Sequence, residues 1–405
     1  MNNKKMISKL TAFCTALVLG VTGIAAAAAP VSVNAATTVA INKTNFPDAN
    51  FRSALKKYYD DNKDGKLSST ELKDIKQLYL SGYGDESYND ENFFYGVKNI
   101  KGVEKLTSLT ELNAFGDTKT QKLDLSKLKS LKKVYIFDFE KLSSLNVKGL
   151  TKLESLNVSG CAKFKTLDVT TNSGLKEVCC SSCPKFTTLK TGAKNKKLSG
   201  LYVYNEAVSK LDVSKLGALK EVNISNTSLS IDKIGIKNKS KLTSLNVSNA
   251  KKNASVDFGK YTNLTYLSAN GVGIKTIDLS ANTKLKSLYL NDNNLSKLDL
   301  SKQTALEQIG VGNNKNLKTL DISYAGKIQY IFVGKGIQVI LPKGEYVNTI
   351  YSYDYDSETG EYNEKIEEIP ISSEIDTAKD MSGTSYLNLI EKQSGQEITL
   401  YADEY

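Results

Sequence analysis

The sequence predicts an α/β solenoid, a rod or horseshoe of stacked coils with a parallel β-sheet along its concave face. Three observations carry that reading. The stretch Leu285-Lys-Ser-Leu288-Tyr-Leu290-Asn-Asp-Asn293-Asn-Leu295 places Leu288 and Leu290 inward from a short strand. Leu285 and Leu295 then fill the coil from either side, and Asn293 can bond the neighbouring coil's backbone. The first leucine position recurs at Leu109, Leu131, Leu153, Leu175, Leu198, Leu219, Leu242, Leu264, Leu285, Leu306 and Ile328, in steps of 22, 22, 22, 23, 21, 23, 22, 21, 21 and 22 residues. Eleven such coils take up most of the 405 residues. No single coil can bury its own apolar edge, so the copies must stack.

This spacing is that of a leucine-rich repeat. It divides the chain into an export signal (1–35), a helical amino-terminal cap (36–106), the repeats (107–341) and a small β-rich end (342–405). In the first part, Lys4, Lys5 and Lys9 precede an apolar run from Leu10 to Ala29, and Val33-Asn34-Ala35 is a small-residue cleavage pattern. No second long apolar run follows, so the mature chain is expected to be secreted or cell-surface-associated, with no transmembrane segment. It is read as a monomer. The segment Leu341-Pro342-Lys343-Gly344 lacks the Thr-Gly step and hydrophobic tail of a wall-sorting signal.

In the cap, Asn45 is placed as the capping residue near a helix start, and Phe51, Leu55, Tyr58 and Tyr59 return at helical spacing. A second short helix is expected from Ser69 to about Leu78, with Leu72, Ile75 and Leu78 on one face. Between the helices, Asp60-Asp-Asn62-Lys-Asp64-Gly65-Lys66-Leu67-Ser68-Ser-Thr-Glu71 fills every fixed place of a twelve-residue EF-hand loop, so calcium is the expected cofactor. Asp60, Asn62 and Asp64 supply oxygens at places one, three and five, and Gly65 allows the sharp turn. The carbonyl of Lys66 serves place seven, Ser68 acts through water at place nine, and Glu71 chelates at place twelve. The polar stretch from Gly82 to Asn92 reads as a loop joining cap and rod.

The opening Asn45-Phe46-Pro47-Asp48 with Phe51, the loop from Asp60 to Glu71, and repeats such as Leu298-Asp299-Leu300-Ser301 resemble the secreted and surface leucine-rich-repeat proteins of bacteria, the broad group that includes the internalins. The resemblance covers about residues 41–341. It implies extracellular binding or adhesion through the concave face, to a protein or a glycan, and it names no ligand.

Strand alternation decides which side chains a partner would meet. Tyr135 and Phe137, Tyr202 and Tyr204, Tyr266, Tyr289, and Tyr330 and Phe332 all fall on outward positions and form the predicted ligand-binding set. Aromatic rings bury large area with little loss of rotamer freedom. Asparagine and serine line the middle coils instead. On another side of the rod Asp124, Asp168, Asp212, Asp257, Asp278, Asp299 and Asp321 recur, and backbone capping by the carboxylate accounts for them. Cys161 and Cys183 take the asparagine position one coil apart, so a disulfide between them is sterically conceivable; Cys180 is inward, and Cys179 is expected outward on the concave side as a free thiol.

Composition narrows the function. With no histidine, the imidazole base of most nucleophilic triads is missing, as is the commonest transition-metal ligand, so an enzyme is disfavoured. The chain carries 54 basic and 44 acidic residues. Residues 345–405 hold 15 acids and 3 lysines, a net −12, which leaves residues 36–344 near +19. The lysines are scattered through turns as a solvating coat, and no nucleic-acid partner is expected. At the end, Tyr346 to Ile366 reads as a hairpin that would cover the last coil's open edge, with further strands at Tyr386 to Ile390 and Ile398 to Tyr401. The sequence thus predicts a nonenzymatic recognition protein. A carboxylate-dependent glycan-active enzyme, an inhibitor and a structural spacer stand as alternatives.

Overall fold

The computed structural model describes residues 38–83, 93–251, 257–355, 362–382 and 384–403. The export signal expected over residues 1–35 lies outside them, as does most of the loop between Gly82 and Asn92. The architecture is a leucine-rich-repeat solenoid. Its concave face is one parallel sheet in which every predicted coil contributes a strand, from Glu111–Phe115 to Tyr330–Gly334. The register repeats without a slip: Leu267 lies beside Leu288, which lies beside Ile309 and then Ile331. Tyr135 lies beside Asn157, and Asn157 beside Cys179. Leu285, Leu288, Leu290 and Leu295 have no exposed surface, and their counterparts along the rod form one continuous core.

Two polar ladders satisfy the backbone where coils turn. The Asn293 amide donates to the carbonyls of Ala269 and Leu290 at 2.8 and 2.9 Å, and its oxygen accepts the Ile274 N–H at 3.0 Å. Asn314 does the same one coil on. At the cysteine rungs the Cys161 N–H donates to the Cys183 sulfur at 3.3 Å, and the Cys183 N–H donates to Asn205 Oδ1 at 2.6 Å. No disulfide joins these cysteines. The second ladder runs through Asn172, Asn195, Asn282 and Gln303, whose side-chain amides donate to carbonyls of the preceding coil. Buried backbone groups need such partners, because each one left bare costs the free energy of a lost hydrogen bond.

The chain leaves the concave strands through a spine of left-handed residues. Gly116, Asp138, Gly160, Ser182, Asn226, Asn249, Gly271, Asp292 and Asn313 have φ between 51 and 67°. Glycine, asparagine and aspartate tolerate this conformation best, which accounts for their recurrence. The coil holding Tyr204 lacks this residue. Asn205 therefore follows the strand directly and donates to the Cys180 carbonyl at 2.9 Å.

At the amino end, α1 (Ala49–Tyr58) buries Phe51 and Leu55. Its N-cap is Asp48, not Asn45: Asp48 Oδ1 accepts the N–H groups of Asn50 and Phe51, while Oδ2 accepts that of Lys98 and ties the helix to the first coil. Asn45 instead donates to the Ala40 carbonyl. The second helix, α2 (Ser69–Asp74), stops short of Leu78. Gln77–Ser81 is a strand pairing in parallel with Glu111–Phe115, so Ile75, Leu78 and Leu80 fill the inward places of an additional coil. The apolar spacing of Leu72, Ile75 and Leu78 suits a helix, but Ile75-x-x-Leu78-x-Leu80 also obeys the repeat, and sheet pairing with the next coil decides.

At the carboxyl end the last coil's edge is covered by Glu397–Asp403, which lies parallel to Tyr330–Gly334, and not by the hairpin expected there. Tyr386–Glu391 pairs next, then the hairpin of Tyr346–Tyr355 with Tyr362–Ile371. The described pairings leave this sheet open, with Phe93–Phe94 at one edge and Tyr362–Ile371 at the other. Ile375, Met381, Leu387, Leu389 and Leu400 are buried and extend the core of the rod. No helix among the described residues is long and apolar enough to cross a membrane.

Candidate functional site

Every aromatic residue predicted to bind a ligand lies on an outward position of the concave sheet. Tyr135, Tyr202, Tyr289 and Phe332 share the middle row, Tyr266 and Tyr330 the row before it, and Phe137 and Tyr204 the row after. The structure does not gather them into one patch. Tyr135 and Phe137 sit near the amino end, where Phe137 stacks on Phe115 at 5.1 Å between ring centroids. A polar floor follows: Ser159 Oγ donates to Asn157 Oδ1 at 2.6 Å and lies 2.7 Å from Ser181 Oγ, and all three side chains are buried.

Tyr202 and Tyr204 make a second group. Gly200 leaves room for the Tyr202 ring to fold over the sheet, and a Cβ there would meet that ring. The Tyr202 hydroxyl donates to Glu221 Oε2 at 2.5 Å. Burial pushes this hydroxyl well above its ordinary value, and the bond to Glu221 adds to the shift. Burial, followed by the nearby Glu221 charge, also raises Glu177. Cys179 departs from expectation. It occupies an outward register position but is only 6% exposed, because Tyr202 lies beside it on the next strand and the Tyr204 hydroxyl is 3.5 Å from its sulfur.

Tyr266 and Tyr289 are a third group, with centroids 5.9 Å apart, and the Tyr289 hydroxyl donates to Gln308 Oε1 at 2.5 Å. Tyr330 and Phe332 close the series. Phe332 stacks on Tyr401 at 4.9 Å. Tyr401 and Tyr386 were not among the predicted residues. The alternation in Tyr386-Leu-Asn-Leu and Ile398-Thr-Leu-Tyr401 marks them as outward, but nothing local says that their strands lie beside the last coil.

The loop from Asp60 to Glu71 is wound around its own oxygens. Asp60 accepts the N–H groups of Asp64 and Gly65, Asn62 accepts that of Asp64, and Asp64 accepts that of Lys66. Lys63 and Gly65 take positive φ to allow the winding. Glu71 reaches back to the N–H of Asp61 at 2.9 Å and that of Ser68 at 2.6 Å, and the Ser68 hydroxyl caps α2. Leu67 is fully buried, and Lys66–Leu67 pairs with Val39–Ala40 as a two-stranded ribbon. Asp60 and Glu71 are each 6% exposed, and neither forms an ion pair with a basic side chain among the described residues.

Among the described residues, no three acidic, thiol or imidazole side chains converge on one point, and Asp60, Asp64 and Glu71 are no exception. The loop therefore offers a mixed set of carboxylate, amide, hydroxyl and carbonyl oxygens. Calcium takes such sets, and two buried carboxylates met only by N–H and O–H donors fit a cation.

The recurring aspartates cap the backbone. Asp124, Asp168, Asp212, Asp257, Asp278, Asp299 and Asp321 each accept the N–H two residues on, at 2.9 to 3.1 Å. The hydroxyls of Ser126, Ser214 and Ser280 hold Asp124, Asp212 and Asp278 below the usual carboxylate value, and the Ser301 N–H does the same for Asp299. The Ser68 N–H lowers Glu71.

No family model and no curated protein matches the chain. Among solved structures it is similar to the functional domain of InlJ from Listeria monocytogenes, described as including a cysteine ladder, with 18% identity over 92% of this chain and 100% of that one, and a TM-score of 0.55. InlP from the same organism aligns at 13% identity over 91% of this chain and 99% of its own, with a TM-score of 0.40. An internalin, inlF, from the same organism aligns at 18% identity over 70% and 97%, with a TM-score of 0.39. The likeness to InlJ extends over nearly the whole chain and is one of fold.

A carboxylate held below its ordinary value stabilises the fold above that value, and the contribution is lost as pH falls through the lowered one. Six acids of the rod and cap, with ordinary values of 3.8 to 4.5, are held this way. The urea midpoint should fall as pH drops from about 5 to about 3. Replacing Ser126, Ser214 and Ser280 with alanine should flatten that dependence, as followed by circular dichroism; an unchanged slope would contradict the assignment.

Proposed function

We propose that the chain is an exported, nonenzymatic recognition protein that binds an extracellular protein or glycan through its concave sheet, with calcium organising the amino-terminal loop. The observation that carries the reading is the register of the sheet. Outward aromatic and polar side chains on successive strands line up as rows of fixed spacing, a surface held rigid by the ladders beneath it. Rigidity lowers the cost of ordering an interface, and half-buried tyrosines already have restricted rotamers. The sequence resemblance to internalin-type proteins and the fold-level likeness to InlJ agree with a surface role. The ligand is expected to lean on Tyr202 and Tyr204 at the centre of the rod, where the sheet carries both ring faces and the Glu177 and Glu221 carboxylates. An array of extracellular proteins and glycans probed with residues 36–405 should capture a ligand. Tyr202→Ala with Tyr204→Ala should weaken capture about tenfold or more, the usual loss at a central anchor; full affinity in that variant would remove the central site.

When bound, calcium would draw Asp60, Asp64 and Glu71 together, offset most of their charge and hold the loop closed. Asp60, Asn62 and Asp64 would hold it with side-chain oxygens, Lys66 with its carbonyl, Ser68 through water and Glu71 with its carboxylate. The chain's own part is to bring the loop into the core through Leu67 and to pin it against Val39–Ala40. An extracellular-type site with a dissociation constant of about 0.1 to 1 mM should add roughly 1.4 to 2.7 kcal/mol at about 10 mM calcium. Thermal unfolding should show that gain in the native chain and its loss in Glu71→Ala. Equal melting curves with calcium and with chelator would contradict it.

A further inference from the structure

The carboxyl-terminal strands do more than close the rod. Tyr330 pairs in register with Thr399, and Phe332 with Tyr401. The Thr399 N–H donates to the Gln329 carbonyl at 2.7 Å, and the Gln396 side-chain amide donates to that of Ile328 at 2.7 Å, so the seam is stitched where the two strands begin. Beyond it Tyr386 pairs with Tyr401, their ring centroids 6.4 Å apart. Phe332, Tyr401 and Tyr386 thus form a line of rings that starts on the last coil and ends on the terminal module. Beside this line lies an open cleft of about 630 Å³, walled by Tyr330, Glu307, Lys327, Gln396, Glu397 and Thr399. Tyr330 is 41% exposed and Tyr386 is 50% exposed.

We propose that this seam is a carbohydrate-binding subsite for a neutral glycan chain, so that the terminal module is half of a binding site and not only a cap. The proposal deepens the concave-face reading and rests on it. A sugar ring has an apolar face that a tyrosine or phenylalanine can cover, with hydroxyl groups around its rim that both donate and accept. The seam offers that complement: two exposed tyrosines, Tyr330 and Tyr386, next to the stacked pair of Phe332 and Tyr401, with an amide, a hydroxyl, carboxylates and an ammonium group around the cleft. The cleft lies within the usual range of small-ligand sites, about 300 to 1,000 Å³. Its charges argue against an acidic polymer. Glu307 is already paired with Lys286 at 2.8 Å, which leaves Lys327 opposed by Glu397 and no surplus of positive charge. A peptide anchor would need an enclosed apolar pocket, and this cleft is open and mostly polar.

The test is affinity electrophoresis of residues 36–405 through gels holding a β-glucan, a galactomannan, a xylan or a dextran, with sulfated dextran as the charged control. At least one neutral polysaccharide should retard the chain. Tyr330→Ala and Tyr386→Ala, both at exposed positions and checked by circular dichroism, should each weaken retardation about tenfold. Tyr324→Ala, an exposed tyrosine in a turn outside the concave strands, should leave it unchanged. Three results would overturn the proposal: no neutral polysaccharide retards the chain, only the sulfated one does, or retardation is insensitive to Tyr330 and Tyr386. If the seam variants are silent while the Tyr202 and Tyr204 variant loses a ligand from the array, the subsite fails and the wider concave-face reading stands. If neither probe binds anything, both fail.

Discussion

No coil of this protein can exist without its neighbours, and that dependence organises the rest of the structure. Each coil's strand needs an adjacent strand to satisfy its N–H and C=O groups, and each inward leucine needs the leucine above and below it. The asparagine and cysteine ladders serve the same need where the chain turns and no strand is present. A ladder rung is a short-range device, since Asn293 touches only its own coil and the one before it. Repeated along the rod, it yields a sheet whose register never slips, and with it a surface whose side chains keep fixed places. Function, on this account, is a by-product of a packing requirement.

The ends of the rod show the same requirement under different chemistry. At the amino end the repeat begins inside the expected helical cap, because Gln77–Ser81 supplies the strand on which Glu111–Phe115 lies. The acidic loop sits just before it and is tied by Leu67 to the core and by Lys66 to Ala40. At the carboxyl end Glu397–Asp403, the last described strand, takes the place the next coil would occupy. The intervening residues form a hairpin and a short strand that pair outward from it, so the concave sheet runs on into the terminal module without a break.

What could be read in the chain beforehand follows from how local each signal is. The leucine spacing is local to one coil and repeats, so the solenoid and the outward places of Tyr202 or Tyr289 were legible. The polar loop between the two cap helices was legible too, being one contiguous run from Asp60 to Glu71. Three features were not. The strand at Gln77 was hidden because its leucines also suit a helix. Cys179 was expected at the surface, but its exposure depends on Gly200 one coil away, which lets the Tyr202 ring lie down. The order of the terminal strands depends on pairing between residues about 70 positions apart, as in Phe332 with Tyr401, and no local pattern encodes that. The glycine, asparagine and aspartate spine stood in the sequence as a 22-residue recurrence, and its meaning emerged only with the positive φ angles.

The central claim is that the coils rise in unbroken register, so that distance along the concave face grows in proportion to the number of coils crossed. Spin labels at Lys133 paired with labels at Glu221 or at Tyr330 measure this directly by pulsed electron resonance. Strands in such a sheet are about 4.8 Å apart, so four steps should give roughly 19 Å and nine steps roughly 43 Å, the longer value shortened somewhat by curvature. Two separations that fail to grow with the coils between them would contradict the account.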